Sequence, residues 1–360
     1  MKLPNNKKKY SKLKTKKKQK NEGIEFNIGL AILRPILAFF VIITHFYNSY
    51  LAKGYWKLIF IKTERLHFHV RIFFIMAFYF SYKTIISNDS KKILNRLERL
   101  CIPYFLWPAI IYYLNNKLLI KYKRNIKIIT YENLKMQYLF GDIFIPTFWY
   151  QWDLILITLL FILIVLIFKS HYNFILIILC IQSFIYQYNG KNYQHFRYKK
   201  NGLYTLGRIL EMLPCSVIGF NIAFSGILNF LKKHRFKAII IFAYFSYFLA
   251  YYDIFTSKAG FNYNGFKMYF VSILLFIIFA LFPSDKIKNK IIIWFIKQIT
   301  NYTGGVYYLH MPICSYIRPY IKIVESKTIK GCLIIYILCY IFCMIGNLIF
   351  GKTKLRNLFL

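Results

Sequence analysis

The chain has 360 residues, of which 58% are hydrophobic and 21% aromatic, and it carries 50 Lys+Arg against 12 Asp+Glu for a formal charge of +38. Its mean hydropathy is +0.43. The apolar residues come in long runs between short basic pieces, which excludes an ordinary water-soluble domain and, without alternation, a membrane β-barrel.

A soluble protein this basic would suggest nucleic acid. Here much of the lysine lies in the tail and loops, so anionic lipid headgroups are the expected partner and nucleic acid is not. AT-rich coding explains the loop lysines equally well. Residues 1–22 hold ten lysines and no apolar core, so they do not form a secretory leader. Residues 1–25 read as a basic, disordered cytoplasmic tail, and 26–352 as one membrane domain.

The expected fold is all-α: a polytopic membrane helix bundle of about ten transmembrane helices. The spans run near 28–51, 67–82, 100–119, 149–168, 172–188, 203–229, 237–256, 266–282, 300–321 and 331–350. An even number places both termini on one side, and the tail makes that side cytoplasmic, in a multi-pass cell (plasma or inner) membrane protein. The 120–148 connection contains YENLKMQYLFGD, which reads as a short surface helix. Seven cysteines are scattered without a CxxC pair. They read as small buried hydrophobes, and no metal site is expected.

Arg34 and His45 lie in the first span, LRPILAFFVIITH. Their spacing puts both on one helix face, roughly 16 Å apart along the axis at about 1.5 Å per residue. Arg34 sits near the cytoplasmic boundary, where snorkelling is the plain alternative. His45 lies deeper, either as a neutral interhelical hydrogen-bonding group or as a general base with an unperturbed pKa of about 6.5. Arg96 and Arg99, in RLERLCIPYFLW, are either positive-inside anchors or ligands of a lipid phosphate or anionic cofactor.

In FWYQWDL, Trp149, Tyr150 and Trp152 form an interfacial aromatic belt or a sugar-stacking surface, with Gln151 and Asp153 adding polar groups at the outer mouth. Arg208 and Glu211, in GRILEMLPCSVIGF, share a helix face and form either an ion pair with each other or the lining of a substrate cavity. Glu211, Asp153 and Asp253 are among the few acids in any span. His310, in TGGVYYLHMP, faces the interior as a packing residue or a substrate contact. The chain lacks GxSxG, HExxH, P-loop and GxGxxG motifs.

These segments together resemble the acyltransferase 3 family of integral membrane acyltransferases. Arg34 and His45 match its opening R-x10-H, and RIFFIMAFYF resembles its FFxxSG segment. RLERLCIPYFLW, FWYQWDL, RILEMLPCSVIGF and VYYLHMP resemble later motifs, in family order. The chain departs at Ala77-Phe78, where Ser-Gly is usual, and at Arg71, where a small or acidic residue is common.

The resemblance implies transfer of an acyl group, often acetyl from acetyl-CoA, to a hydroxyl of a cell-surface glycan or lipid-linked sugar. Acyl-CoA enters as donor substrate, with no resident cofactor. Arg34, helped by Arg208, would hold the donor phosphates, and His45 would deprotonate the acceptor. Glu211 would orient His45 or Arg208, while His310 would contact substrate. Trp149, Tyr150 and Asp153 would meet the acceptor. Two other readings fit the same helices: a transporter or exporter of glycan intermediates, and a non-catalytic partner of polysaccharide-assembly proteins.

Overall fold

The computed structural model describes residues 26–46, 68–119, 129–188, 202–256, 266–317, 320–321 and 328–360. The basic tail, with the orientation and lipid contact read from it, lies outside the described residues. The first helices are α1 (Ile28–Phe46), α2 (Phe68–Ile86), α3 (Ser90–Tyr113), α4 (Tyr131–Phe140), α5 (Trp149–Phe168) and α6 (Tyr172–Tyr188). Next come α7 (Gly202–Ser225), α8 (Ile227–Lys232), α9 (Arg235–Thr256) and α10 (Phe266–Ala280). The last are α11 (Lys290–Asn301), α12 (Thr303–Ile317), α13 (Ile329–Phe350) and a 3₁₀ turn, Lys354–Leu358. The described residues contain no strand.

Four described stretches are long and apolar enough to cross a membrane: Ile28–Phe46, Trp149–Gln187, Tyr204–Ser225 and Ile329–Phe350. The second contains both α5 and most of α6, joined at Lys169–His171 where Lys169 takes a φ of 44°. Among the described residues, length and apolarity therefore do not confirm the expected count of about ten spans. His69, Arg71 and Lys83 dilute α2. The 15 residues of α12 cover only about 22 Å of a hydrocarbon core about 30 Å thick.

Helix α2 occupies the centre. Gly219 of α7 lets the Ile75 backbone approach so closely that a Cβ there would fall 2.2 Å from the Ile75 carbonyl oxygen. Phe161 of α5 ties the layers together, with its ring 4.5 Å from Phe78 of α2 and 5.2 Å from Phe220 of α7. Leu163, Ile167, Phe174 and Leu348 point outward, an apolar surface suited to lipid.

Asp89 caps α3 by accepting from the Lys91 and Lys92 amides, and the Lys92 ammonium holds its carboxyl below the usual carboxylate range. The helix expected in YENLKMQYLFGD forms as α4, with Tyr131 exposed but Gln137 buried. Gln137 Oε1 accepts from the amides of Ile143, Phe144 and Ile145 at 2.8, 2.9 and 3.2 Å. The Tyr104 hydroxyl lies 3.0 Å from the Gln137 carbonyl oxygen and 2.8 Å from that of Tyr138. The segment therefore folds back onto α3 and delivers the start of α5 beside it.

Candidate functional site

A cavity of about 490 Å³ lies among α1, α2, α3, α5, α12 and the C-terminal segment. That volume suits a cofactor- or substrate-sized ligand (roughly 300–1,000 Å³). Arg34, Arg99 and Arg356 reach its wall, together with Tyr150, Gln151 and Tyr307, and no described acid lines it. The Arg34 guanidinium also stands 5.0 Å from the centre of the Phe80 ring. Gln151 is fixed at both ends, accepting from the Tyr308 hydroxyl at 2.9 Å and donating to the Leu100 carbonyl at 2.8 Å. Phe148–Asp153 was expected at the opposite membrane face from Arg34 and Arg99. Tyr150 and Gln151 instead share their cavity, because the chain before α5 folds back on α3.

A pair of histidines lies beyond Tyr307. His310 is fully buried, with its ring centroid 5.4 Å from that of His45. Its Nδ1 lies 3.3 Å from the Val306 carbonyl oxygen, an acceptor, so Nδ1 carries the proton. Nε2 is then the lone-pair nitrogen, buried and without a hydrogen-bond partner. Tyr307 lines the cavity on one side and holds its ring 5.9 Å from His310 on the other. Its hydroxyl donates to the Thr147 carbonyl at 3.0 Å, which fixes that divide. His45 is exposed, in the last turn of α1, and does not line the cavity. The rest of the span expected at 28–51, within which His45 was placed deep, lies outside the described residues.

The buried ions pair differently from the expectation. Glu211 does not pair with Arg208 or His45: its Oε1 is 3.1 Å from Arg71 Nη2, with both side chains buried. The Arg71 guanidinium also lies 4.8 Å from the Tyr269 ring centre. Arg208 forks onto Asp153, at 3.1 Å from Nε and 3.0 Å from Nη2, and Asp142 stands 3.5 Å away. The Trp149 ring faces the same guanidinium at 5.8 Å. Low-dielectric surroundings force each cation onto the nearest carboxylate, even across helices. Arg208, Asp153 and Trp149 thus form an internal clamp between α5 and α7, away from the cavity wall.

Among the other expected site residues, Tyr150 lines the cavity and Arg96 does not; Arg96 stands over the Phe78 ring at 5.9 Å. Ala77 contributes to the cavity wall, while Phe78 is buried in the core against Phe161. Tyr307 and Arg356 went unnoticed in the sequence. Tyr307 is one helical turn before His310 and was legible as its face-mate. Arg356 lies outside every apolar run and had no such signal.

The described architecture is a membrane-type helical bundle with a cationic cavity separated by Tyr307 from two histidines. The chain belongs to the acyltransferase 3 family: the family's Acyltransferase domain matches residues 27–351, nearly the whole chain. It is therefore a membrane acyltransferase in the general sense. No curated protein and no solved structure matches it.

Proposed function

We propose that the protein transfers an acyl group, acetyl in the simplest case, from acyl-CoA to a hydroxyl of a cell-surface glycan or lipid-linked sugar. The observation that carries this reading is a cavity lined by three arginines and Tyr307, with the His310–His45 pair on the far side of Tyr307. A multiply charged phosphate ester suits a cavity lined by guanidiniums and, among the described residues, no acidic side chain. In this reading Arg34 and Arg99 hold the anionic end of the donor from the cytoplasmic side, and the thioester reaches Tyr307, whose ring must turn aside for it to meet the histidines.

His45 takes the proton of the acceptor hydroxyl as its oxygen attacks the thioester carbonyl. The tetrahedral intermediate collapses, the C–S bond breaks, and the leaving thiolate takes the proton back from the imidazolium. The products are an ester and free coenzyme A. His310 Nε2 accepts a hydrogen bond from a second hydroxyl of the acceptor. The exposed flank of His45 gives the acceptor its approach. Glu211 acts through structure, by neutralising Arg71.

The test is incubation of purified protein with labelled acetyl-CoA, longer acyl-CoAs and host glycan extracts, read by product mass. The expected product is a glycan heavier by one acyl increment with wild type and unmodified with His45→Ala, at equal membrane levels of protein. A His45→Ala protein that transfers at the wild-type rate overturns the assigned base. Substrate movement across vesicles without any acyl donor would favour export instead.

A further inference from the structure

The cavity is completed by residues beyond the end of the family match at residue 351. Thr353 caps the final 3₁₀ turn by accepting from the Leu355 amide. Trp107 Nε1 of α3 donates to the Leu358 carbonyl at 3.1 Å, and the buried Phe359 ring lies 5.8 Å from Phe350 and nearly parallel to it. Three glycines make room for this segment. A Cβ on Gly304 would fall 2.3 Å from the Leu360 carbonyl oxygen, one on Gly305 2.6 Å from that of Phe359, and one on Gly346 2.4 Å from the Phe359 ring. Outside this seat, Lys354 Nζ lies 2.7 Å from Glu98.

The seat brings Arg356 to the wall that Arg34 and Arg99 also line. None of the three arginines makes an ion pair with a described residue. Arg99 and Arg356 are exposed and Arg34 is half-buried, so water screens the three like charges, and an anion entering between them would relieve the repulsion that remains.

We propose that Arg356 is a third cationic ligand for the phosphate-bearing end of the donor, held in place by the folded C-terminal segment. This deepens the acyl-CoA reading and rests on it. The segment therefore sets donor affinity from outside the family domain. Anionic phospholipid offers the same phosphate chemistry, so the test must separate the two sources.

Coenzyme A binding is titrated to the full chain in detergent, for wild type, Arg356→Gln and Lys352→Gln. Lys352 is exposed and outside the cavity, so its variant loses the same charge without touching the site. Arg356→Gln should weaken binding about tenfold and flatten its salt dependence, with an unchanged melting temperature, while Lys352→Gln stays within about twofold. Micelles doped with phosphatidylglycerol should not displace coenzyme A. Equal coenzyme A affinity in wild type and Arg356→Gln removes this inference alone. An Arg356-dependent affinity for phosphatidylglycerol with none for coenzyme A assigns the site to lipid and overturns the inference. Failure of wild type to bind coenzyme A removes the donor reading itself.

Discussion

His45 and His310 come from helices at opposite ends of the chain, yet their imidazole centroids lie 5.4 Å apart with the rings tilted by 33°. One ring is exposed and the other sealed inside the bundle. The pair therefore sets a buried imidazole beside an exposed one, the arrangement on which the proposed transfer chemistry rests.

Removing either imidazole should lower turnover by about 10²–10⁴-fold without lowering protein in the membrane, the usual range for a general acid–base group. The double variant should be little worse than the more damaging single one, because the two imidazoles act on the same acceptor in the same step. Single-turnover transfer rates measure this, and fully multiplicative losses would separate the two residues functionally.

Arg71 and Glu211 call for a stability experiment. Glu211→Ala removes the carboxylate facing a buried guanidinium, at an expected cost of about 3–5 kcal/mol. Arg71→Met combined with Glu211→Leu should regain most of the thermal stability and retain transfer. A stable double variant without activity would return Glu211 to the chemistry.

Gln137→Leu takes the acceptor from three consecutive amides at once. We expect at least about 2 kcal/mol of destabilisation, from the cost of burying unsatisfied donors. Hydrogen exchange should accelerate at residues 143–145. Because that loop delivers Tyr150 and Gln151 to the cavity, the KM for donor should rise as well. Unchanged exchange protection there would contradict the described contacts.

Gly219→Ala forces α7 away from α2, since the new methyl would meet the Ile75 backbone rather than a side chain able to turn aside. A loss of about 1–3 kcal/mol is expected, as for overpacking elsewhere. A melting curve in detergent reads it directly, and an unshifted midpoint would mean that the helices separate at no cost.

Arg34→Gln and Arg99→Gln should each raise the KM for acyl-CoA about tenfold while leaving kcat within about twofold, since both are assigned to donor binding. Raising ionic strength should affect wild type more than either variant. A selective fall in kcat would place these arginines at the reacting centre instead.

The sequence by itself determined the class of fold and the family. Long apolar runs can be hidden only in lipid, and the order of six short motifs survives in the chain whatever its packing. The positions of Arg34 and Tyr150 as candidates were also legible, because an arginine in an apolar segment and an aromatic at a helix start each demand an explanation. Only the tertiary structure decided the partners: Arg71 for Glu211, Asp153 for Arg208, Gln137 for a loop, and Arg356 for the cavity. Apart from the local Gln137 turn, these contacts join segments far apart in the chain. A buried charge takes whichever opposite charge the packing brings near, and linear spacing carries no record of that distance.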